Sequence, residues 1–336
     1  KGVLNISKIY QVCSQKGIDV DGSIKADLVL KGKQSDAEKG NYSKLHNKGT
    51  LELRNILIAT EYLPKKFLIK EGIFKINQDK MSFNNFLAAY GQSDFRMNGY
   101  LQNVFNFATT KTGVLRGSFT LNSTYINADE FMSETEVATT NPTTASNPET
   151  KSTSEKVETG VIIIPSNLDL KFQANAQKVN FNELTLKDAK GSINMYKGVL
   201  TMQNTGFNLI GCTVNMNAKY QASTPKRAQF EYDIKASDFD IKRAYNEIKI
   251  FREMASAAEK AQGTISLEYK LKGRLNANME PVYPSLVGNG IVSVKDIKLH
   301  GMKMFNAVAK KTSKEEIKNP ELSKVEIKSS IKNNII

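Results

Sequence analysis

The 336-residue chain has no tryptophan, two cysteines and two histidines, and only seven of its 47 basic residues are arginine. Cys13 and Cys212 lie too far apart for a metal-ligand spacing, so neither a zinc site nor a disulfide framework is supported. His46 and His300 are too few for a histidine-based metal cluster. Scarce arginine counts against base readout and bidentate phosphate clamps, and against a polysaccharide-cleaving β-helix with Asp, Arg and Lys gathered on one face. The longest wholly aliphatic run, Val161 to Ile164, falls far short of the ~20 residues of a membrane helix. There is no G-x-S-x-G elbow, Walker loop, H-E-x-x-H or C-x-x-C, and Gly288-Asn-Gly290 lacks the third glycine and following helix of a dinucleotide fingerprint. Asp233, Asp238 and Asp240 form pairs that carboxylate abundance alone accounts for. No catalytic residue, cofactor or metal is expected, and the chain is not read as an enzyme.

What is present begins with charge. The 47 Lys and Arg against 34 Asp and Glu leave +13, spread over every segment, which suits solubility and loose contact with anionic lipid. A nucleic-acid platform would expose aromatics between basic residues, whereas Phe172, Phe230, Tyr232 and Tyr269 fall in phase with Leu, Ile and Met, so no nucleic-acid partner is expected. A hydrophobic content of 40% suffices for a core, and the length fits an elongated repeat array better than one compact unit. The chain opens on Lys1 and stops at Ile336 just after the strand-like Val325-x-Ile327, so it reads as a piece of a longer protein whose targeting signal or anchor lies elsewhere.

The dominant period is two. Cys212, Val214, Met216, Ala218 and Tyr220 alternate with polar residues, as do Ile24 to Leu30, Leu168 to Ala174, Phe230 to Ala236 and Ile265 to Leu271. Glycine-bearing breaks recur at the intervals of antiparallel meanders rather than of helical crossovers. One stretch departs: from Asp240 to Ala261, apolar residues recur at three and four, predicting an amphipathic helix that covers a sheet end. A shorter turn is predicted at Met304-Phe305-Val308. Residues 139–154 hold nine Ser or Thr, and 129–160 are expected to be a disordered insertion between β-rich segments 1–128 and 161–336. The two segments match at a constant offset of 119, pairing Phe74 with Ile193, Met81 with Leu200, Phe83 with Met202, Asn85 with Asn204 and Asn98 with Asn217, with one slip expected where Gly91 would meet Gly211.

About 300 residues of meander, apolar on one side, have a single convincing helix to cover them. Either two sheets fill a sandwich, or one sheet curls around its own apolar face and leaves a groove suited to acyl chains, with charged head groups at its lip. Methionines 81, 97, 195, 202 and 216 fit an adaptable lining.

Three stretches then carry a resemblance. Phe230 to Tyr245, containing "ASDFDIKRAY", resembles the C-terminal region of AsmA-family proteins. Gly288 to Met304 looks like that family's G-x-G strand–turn–helix segment, and Gly49 to Asn103, ending "YGQSDFRMNGYLQN", is similar to its repeated strand–loop–glycine–strand unit. The resemblance implies an all-β, elongated, curled and mostly antiparallel sheet with a taco-like apolar groove. It also implies a bridge-like lipid transfer protein of the bacterial periplasm, anchored to the inner membrane by a segment absent from this chain. Its expected cargo is phospholipid or another acyl lipid on the way to the outer membrane, with periplasmic or outer-membrane protein partners. The family has no catalytic residues to carry over, only the role of groove lining, expected at Phe95, Met97, Leu170, Phe172, Val214, Met216, Phe230, Tyr232, Ile265, Leu267, Tyr269 and Leu271. Ile241, Tyr245, Ile248 and Phe251 are expected on the covering helix. The chain departs from the family pattern in its missing anchor helix and its Ser/Thr-rich insertion. At ~4.8 Å per strand, about 16 to 18 strands would extend roughly 80 Å. The alternative from the residues themselves is a structural or adhesive β-sandwich module that binds glycan or protein through its loops.

Overall fold

The computed structural model describes residues 2–5, 18–33, 35–36, 44, 46–60, 63–110, 112–132, 160–254, 256–299, 303–314, 319 and 321–332. Cys13, His300 and most of the expected insertion, 133–159, lie outside these residues. The strands are β1 (Gly2–Asn5), β2 (Ile18–Lys31), β3 (His46–Thr60), β4 (Leu63–Asn77), β5 (Lys80–Tyr90), β6 (Ser93–Gln102), β7 (Leu115–Ser123) and β8 (Ile126–Asn127). They continue as β9 (Leu168–Phe181), β10 (Leu184–Tyr196), β11 (Val199–Leu209), β12 (Cys212–Thr224), β13 (Arg227–Asp240), β14 (Ala261–Leu275), β15 (Val287–Leu299) and β16 (Glu321–Ile331). All belong to one sheet in chain order, open at β1 and β16 and not closed into a barrel. Among the described residues all strands belong to this one sheet. Every neighbouring pair is antiparallel except at β9, which runs parallel to β7 and to the short β8.

That parallel junction arises where the meander is interrupted. Beyond β7, the Asp94 carboxylate accepts hydrogen bonds from the backbone N–H groups of Thr124 (3.0 Å) and Tyr125 (2.8 Å) and from the Thr124 hydroxyl (2.6 Å). The chain then forms a 3-10 turn, Ala128–Phe131. Phe131 stacks on the fully buried Tyr90 at 4.4 Å, and Glu130 pairs with Lys65 at 2.9 Å while accepting from the Gln92 N–H. Residues 129–132 are therefore structured, a correction to the expected start of the insertion: Phe131 has an aromatic partner that composition alone does not reveal.

The offset of 119 survives in detail. β5 and β11 coincide at both ends, and each is followed by a two-residue turn, Gly91-Gln92 in one and Ile210-Gly211 in the other. The expected slip at Gly211 is absent, because Ile210 (φ 47°) takes the left-handed place of Gly91 (φ 54°). Asn85 and Asn204 both adopt left-handed φ, 52° and 50°, at β-bulges. Each has its N–H taken by the side-chain oxygen of the offset-matched asparagine on the next strand, Asn98 at 2.8 Å and Asn217 at 2.9 Å.

The predicted helix over 240–261 is broken. Asp240 caps α2 (Ile241–Glu247) by accepting from the Arg243 N–H at 2.7 Å, and α3 (Lys249–Met254) follows after Ile248. Arg252 reaches back to the Tyr245 and Asn246 carbonyls, satisfying acceptors that the break exposes. After the break Phe251 lies edge-on against Phe239 at 5.8 Å and 88°. A small helix, α1 (Val104–Thr109), follows β6, and α4 (Lys303–Thr312) covers the predicted turn. Among the described side chains of α4, Val308 is 41% exposed and Ala309 is buried.

Candidate functional site

Strand register aligns one apolar or glycine position per strand across the sheet. Ala26, Leu51, Phe74 and Phe83 lie abreast on β2 to β5, followed by Gly99, Phe119 and Phe172 on β6, β7 and β9. The row continues through Ile193, Met202, Ala218, Tyr232, Leu271, Gly288 and Ile331 on β10 to β16. In its first half the rings touch in file: Phe74–Phe83 at 5.3 Å, Phe83–Phe119 at 6.1 Å and Phe119–Phe172 at 4.9 Å. Phe83 and Phe119 meet because Gly99 stands between them with φ 156°; a Cβ there would lie 2.3 Å from the Ser118 carbonyl oxygen. Gly290, in the Gly288-Asn-Gly290 segment, likewise yields its place to the Tyr269 ring.

The expected lining residues share this face but differ in burial. Phe95, Val214, Ile265 and Leu271 are 8%, 2%, 8% and 2% exposed and belong to packed clusters. Met97, Leu170, Phe172, Met216, Phe230, Tyr232, Leu267 and Tyr269 are half-buried. Of the helix residues, Ile241 is buried, whereas Tyr245, Ile248 and Phe251 are half-buried. Burial pushes the Tyr232 phenol up to about 12, and the Tyr269 phenol beside it acts in the same direction. Burial likewise raises the Cys212 thiol, which donates to the Leu209 carbonyl, while Arg243 opposes the shift.

The two matched copies differ where it matters most. In the first, Phe74, Phe83 and Phe86 form a triangle with centroids 5.3–5.6 Å apart, each ring at most 7% exposed. At offset 119 their places are taken by Ile193, Met202 and Thr205. Ile76 and Met81, both buried, give way to Met195 and Leu200, both half-buried. Ile193, Met195, Leu200 and Met202, with Leu170 and Phe172 alongside, belong to none of the packed clusters. Thr205 is buried, and its hydroxyl has no hydrogen-bond partner. Ile193 and Leu200 share this face without being among the expected lining residues, and the offset alignment with Phe74 and Met81 marks both.

Both ends of this stretch are covered. At the end carrying turns 182–183 and 210–211, α2 and α3 pack over β13 and β14. At the opposite end, the aliphatic run Val161–Ile164 lies across the strand ends, where the Val161 N–H donates to Pro225 and the Tyr220 hydroxyl donates to the Ile162 carbonyl at 2.8 Å. Val161 is 1% exposed, and burial raises the Tyr220 phenol.

The carboxylates singled out in the sequence have structural partners: Asp233 pairs with Lys270, Asp238 with Lys295, and Asp240 caps α2. Among the described residues no three His, Cys, Asp or Glu side chains gather as a metal site, and no helix is long and apolar enough to cross a membrane. Neither a scan of family models nor searches of curated proteins and solved structures return a match.

Proposed function

We propose that the chain binds lipid acyl chains along the apolar face, over β9 to β11, as the periplasmic part of an inner-membrane-anchored AsmA-like protein that supports phospholipid transport to, and assembly of, the outer membrane. The observation that carries the reading is the apolar row maintained from Ala26 to Ile331, with its unfilled stretch where Ile193, Met202 and Thr205 replace three rings. In this reading the sheet curls about that face into a groove. Support comes from Phe181, at one end of β9, which shares a hydrophobic cluster with Leu275, at the opposite end of β14, although four strands separate them. Bulges with left-handed residues at Asn55, Asn85, Asn204 and Asp238 supply bends suited to such curvature. Fourteen spacings of ~4.8 Å give an arc of about 70 Å, short of a full bridge, so other segments or partners complete the path.

The mechanism is passive: half-buried side chains replace water around the methylenes, at ~0.8 kcal/mol for each one withdrawn. The test is mass spectrometry of organic extracts from the purified chain, with a Phe172→Asp/Met195→Asp variant as control. Near-stoichiometric phospholipid in the parent, depleted in a variant that still folds, is the expected result. A lipid-free parent overturns the proposal.

A further inference from the structure

The outer, polar face of the sheet is laced by compensating charges. Arg54 pairs with Glu52 and Glu71 across β3 and β4, Lys235 with Glu268 and Lys270 with Asp233 across β13 and β14, and Lys295 with Asp238. On β12 to β14 the pattern lapses in the same-face row next to the Asp233–Lys270 pair. There the register sets Lys219, Glu231 and Lys272 abreast on β12, β13 and β14, and the next row on the same face is Gln221, Gln229 and Arg274. Among the described residues no carboxylate lies within 4 Å of Lys219, Lys272 or Arg274. Three cations thus surround one carboxylate.

The surface here is also concave. A cavity of about 380 Å³ is walled by these two rows, by Phe230 and Gly273 between them, and by Ser285 and Val287. The Arg274 N–H donates to the Ser285 hydroxyl at 2.9 Å, fixing one wall against the other. Side chains in such a grid stand about 5 Å apart across strands and about 7 Å apart along them, the dimensions of a tetrahedral oxyanion with its hydrogen-bonded shell. Arg274 offers a planar fork, Gln221 and Gln229 offer amide N–H donors, and Lys219 and Lys272 supply mobile charges from the flanks. Glu231 sits in the row farther from Arg274, so an anion is best placed over the Gln221–Gln229–Arg274 row.

We propose that this cavity binds a phosphate group, either free or on the head group of an anionic lipid. Its cations stand on the polar face, whereas acyl-chain binding is proposed on the opposite face over β9 to β11. Arg227, at the start of β13 and one row beyond Gln229, adds to the same field.

The test titrates the purified chain with inorganic phosphate, followed by phosphorus NMR, and measures its co-sedimentation with vesicles of phosphatidylcholine, with and without phosphatidylglycerol, at low ionic strength. Expected is binding of phosphate, of phosphatidylglycerol vesicles, or of both, weakened about 25-fold in Lys219→Gln/Arg274→Gln at about fivefold per cation removed. Lys48→Gln/Lys75→Gln, two exposed outer-face lysines elsewhere, should leave binding unchanged. Glu231→Gln should tighten it, a gain that damage to the fold cannot produce. Response to vesicles alone assigns the source to a lipid head group, and response to phosphate alone to a soluble ligand. A parent that binds neither, or equal losses in both double variants, overturns the proposal, whatever the acyl-chain extraction finds.

Discussion

Replacing Ile193 and Met202 together by phenylalanine copies the first repeat's packing into the second. The two positions face each other across β10 and β11 as Phe74 and Phe83 do across β4 and β5, where the rings lie 5.3 Å apart. A new aromatic pair contributes about 0.5–1.5 kcal/mol beyond its area, and the Phe119–Phe172 stack stands ready to extend it. Some of that gain is lost because Thr205, not a third ring, completes the triangle. The expected net stabilisation is about 1 kcal/mol, read as a higher urea midpoint at unchanged slope. The same rings occupy the space proposed for acyl chains. Displacing two or three methylenes at ~0.8 kcal/mol each removes about 2 kcal/mol of lipid binding, a roughly 30-fold loss. Urea unfolding and lipid extraction on one preparation therefore move in opposite directions. Raised stability with undiminished lipid would refute the placement of the acyl chains, and a loss of stability above about 1 kcal/mol would refute the equivalence of the two copies.

Other positions give narrower tests. Gly99→Ala should cost at least about 2 kcal/mol, because its Cβ meets the Ser118 carbonyl oxygen at 2.3 Å, whereas Gly206→Ala, whose nearest contact is 3.4 Å, should change stability little. Thr205→Val should raise stability by about 1 kcal/mol in thermal or urea unfolding by removing a buried hydroxyl that has no partner. For Asp94, burial pushes the carboxyl up, but hydrogen bonds from Thr124, Tyr125 and Ser123 outweigh it and hold it below its ordinary value. Its contribution is present above the ordinary carboxylate range and lost on acidification through the lowered value, so the parent's acid-limb decline should be shallower in Asp94→Asn. Tyr232 should resist ionisation until about pH 12, and its contribution, full below pH ~10, should fade between those limits; phenolate absorbance of the parent against Tyr232→Phe measures this.

Much of the sheet is legible in the residues because a period of two leaves little freedom. Val214, Met216, Ala218 and Tyr220 face one way whichever neighbours they acquire, and the match of Asn85 with Asn204 and Asn98 with Asn217 reports a real bulge and its closing hydrogen bond. Exposure along that face is less legible. Val214 and Leu271 look like Leu170 and Phe172 in alternation, yet the former lie in packed clusters, since covering by α2, α3 and the loop at Leu286 is set by distant chain. Nothing around Ile248 signals a break, because the apolar spacing of three and four runs through it unchanged and the compensating Arg252 acts from the following turn. Nor does an aliphatic tetrad such as Val161–Ile164 disclose that it lies across strand ends rather than within the sheet. Ile210 misleads in another way: a β-branched residue in a left-handed turn is rare enough that the glycine beside it attracts the alignment.

The parallel pairing of β9 with β7 has a kinetic consequence. From β3 to β6 and from β9 to β13 each strand is joined to the next by a two-residue connection, so these hairpins can form within microseconds and zip onto their neighbours without waiting for distant chain. Pairing β7 with β9 instead requires the ends of the stretch from Ser123 to Leu168 to find each other, and that closure carries an entropic cost before any contact offsets it. Folding is thereby partitioned: two arrays of local hairpins mature independently, and their union, with Phe119 stacking on Phe172, comes late.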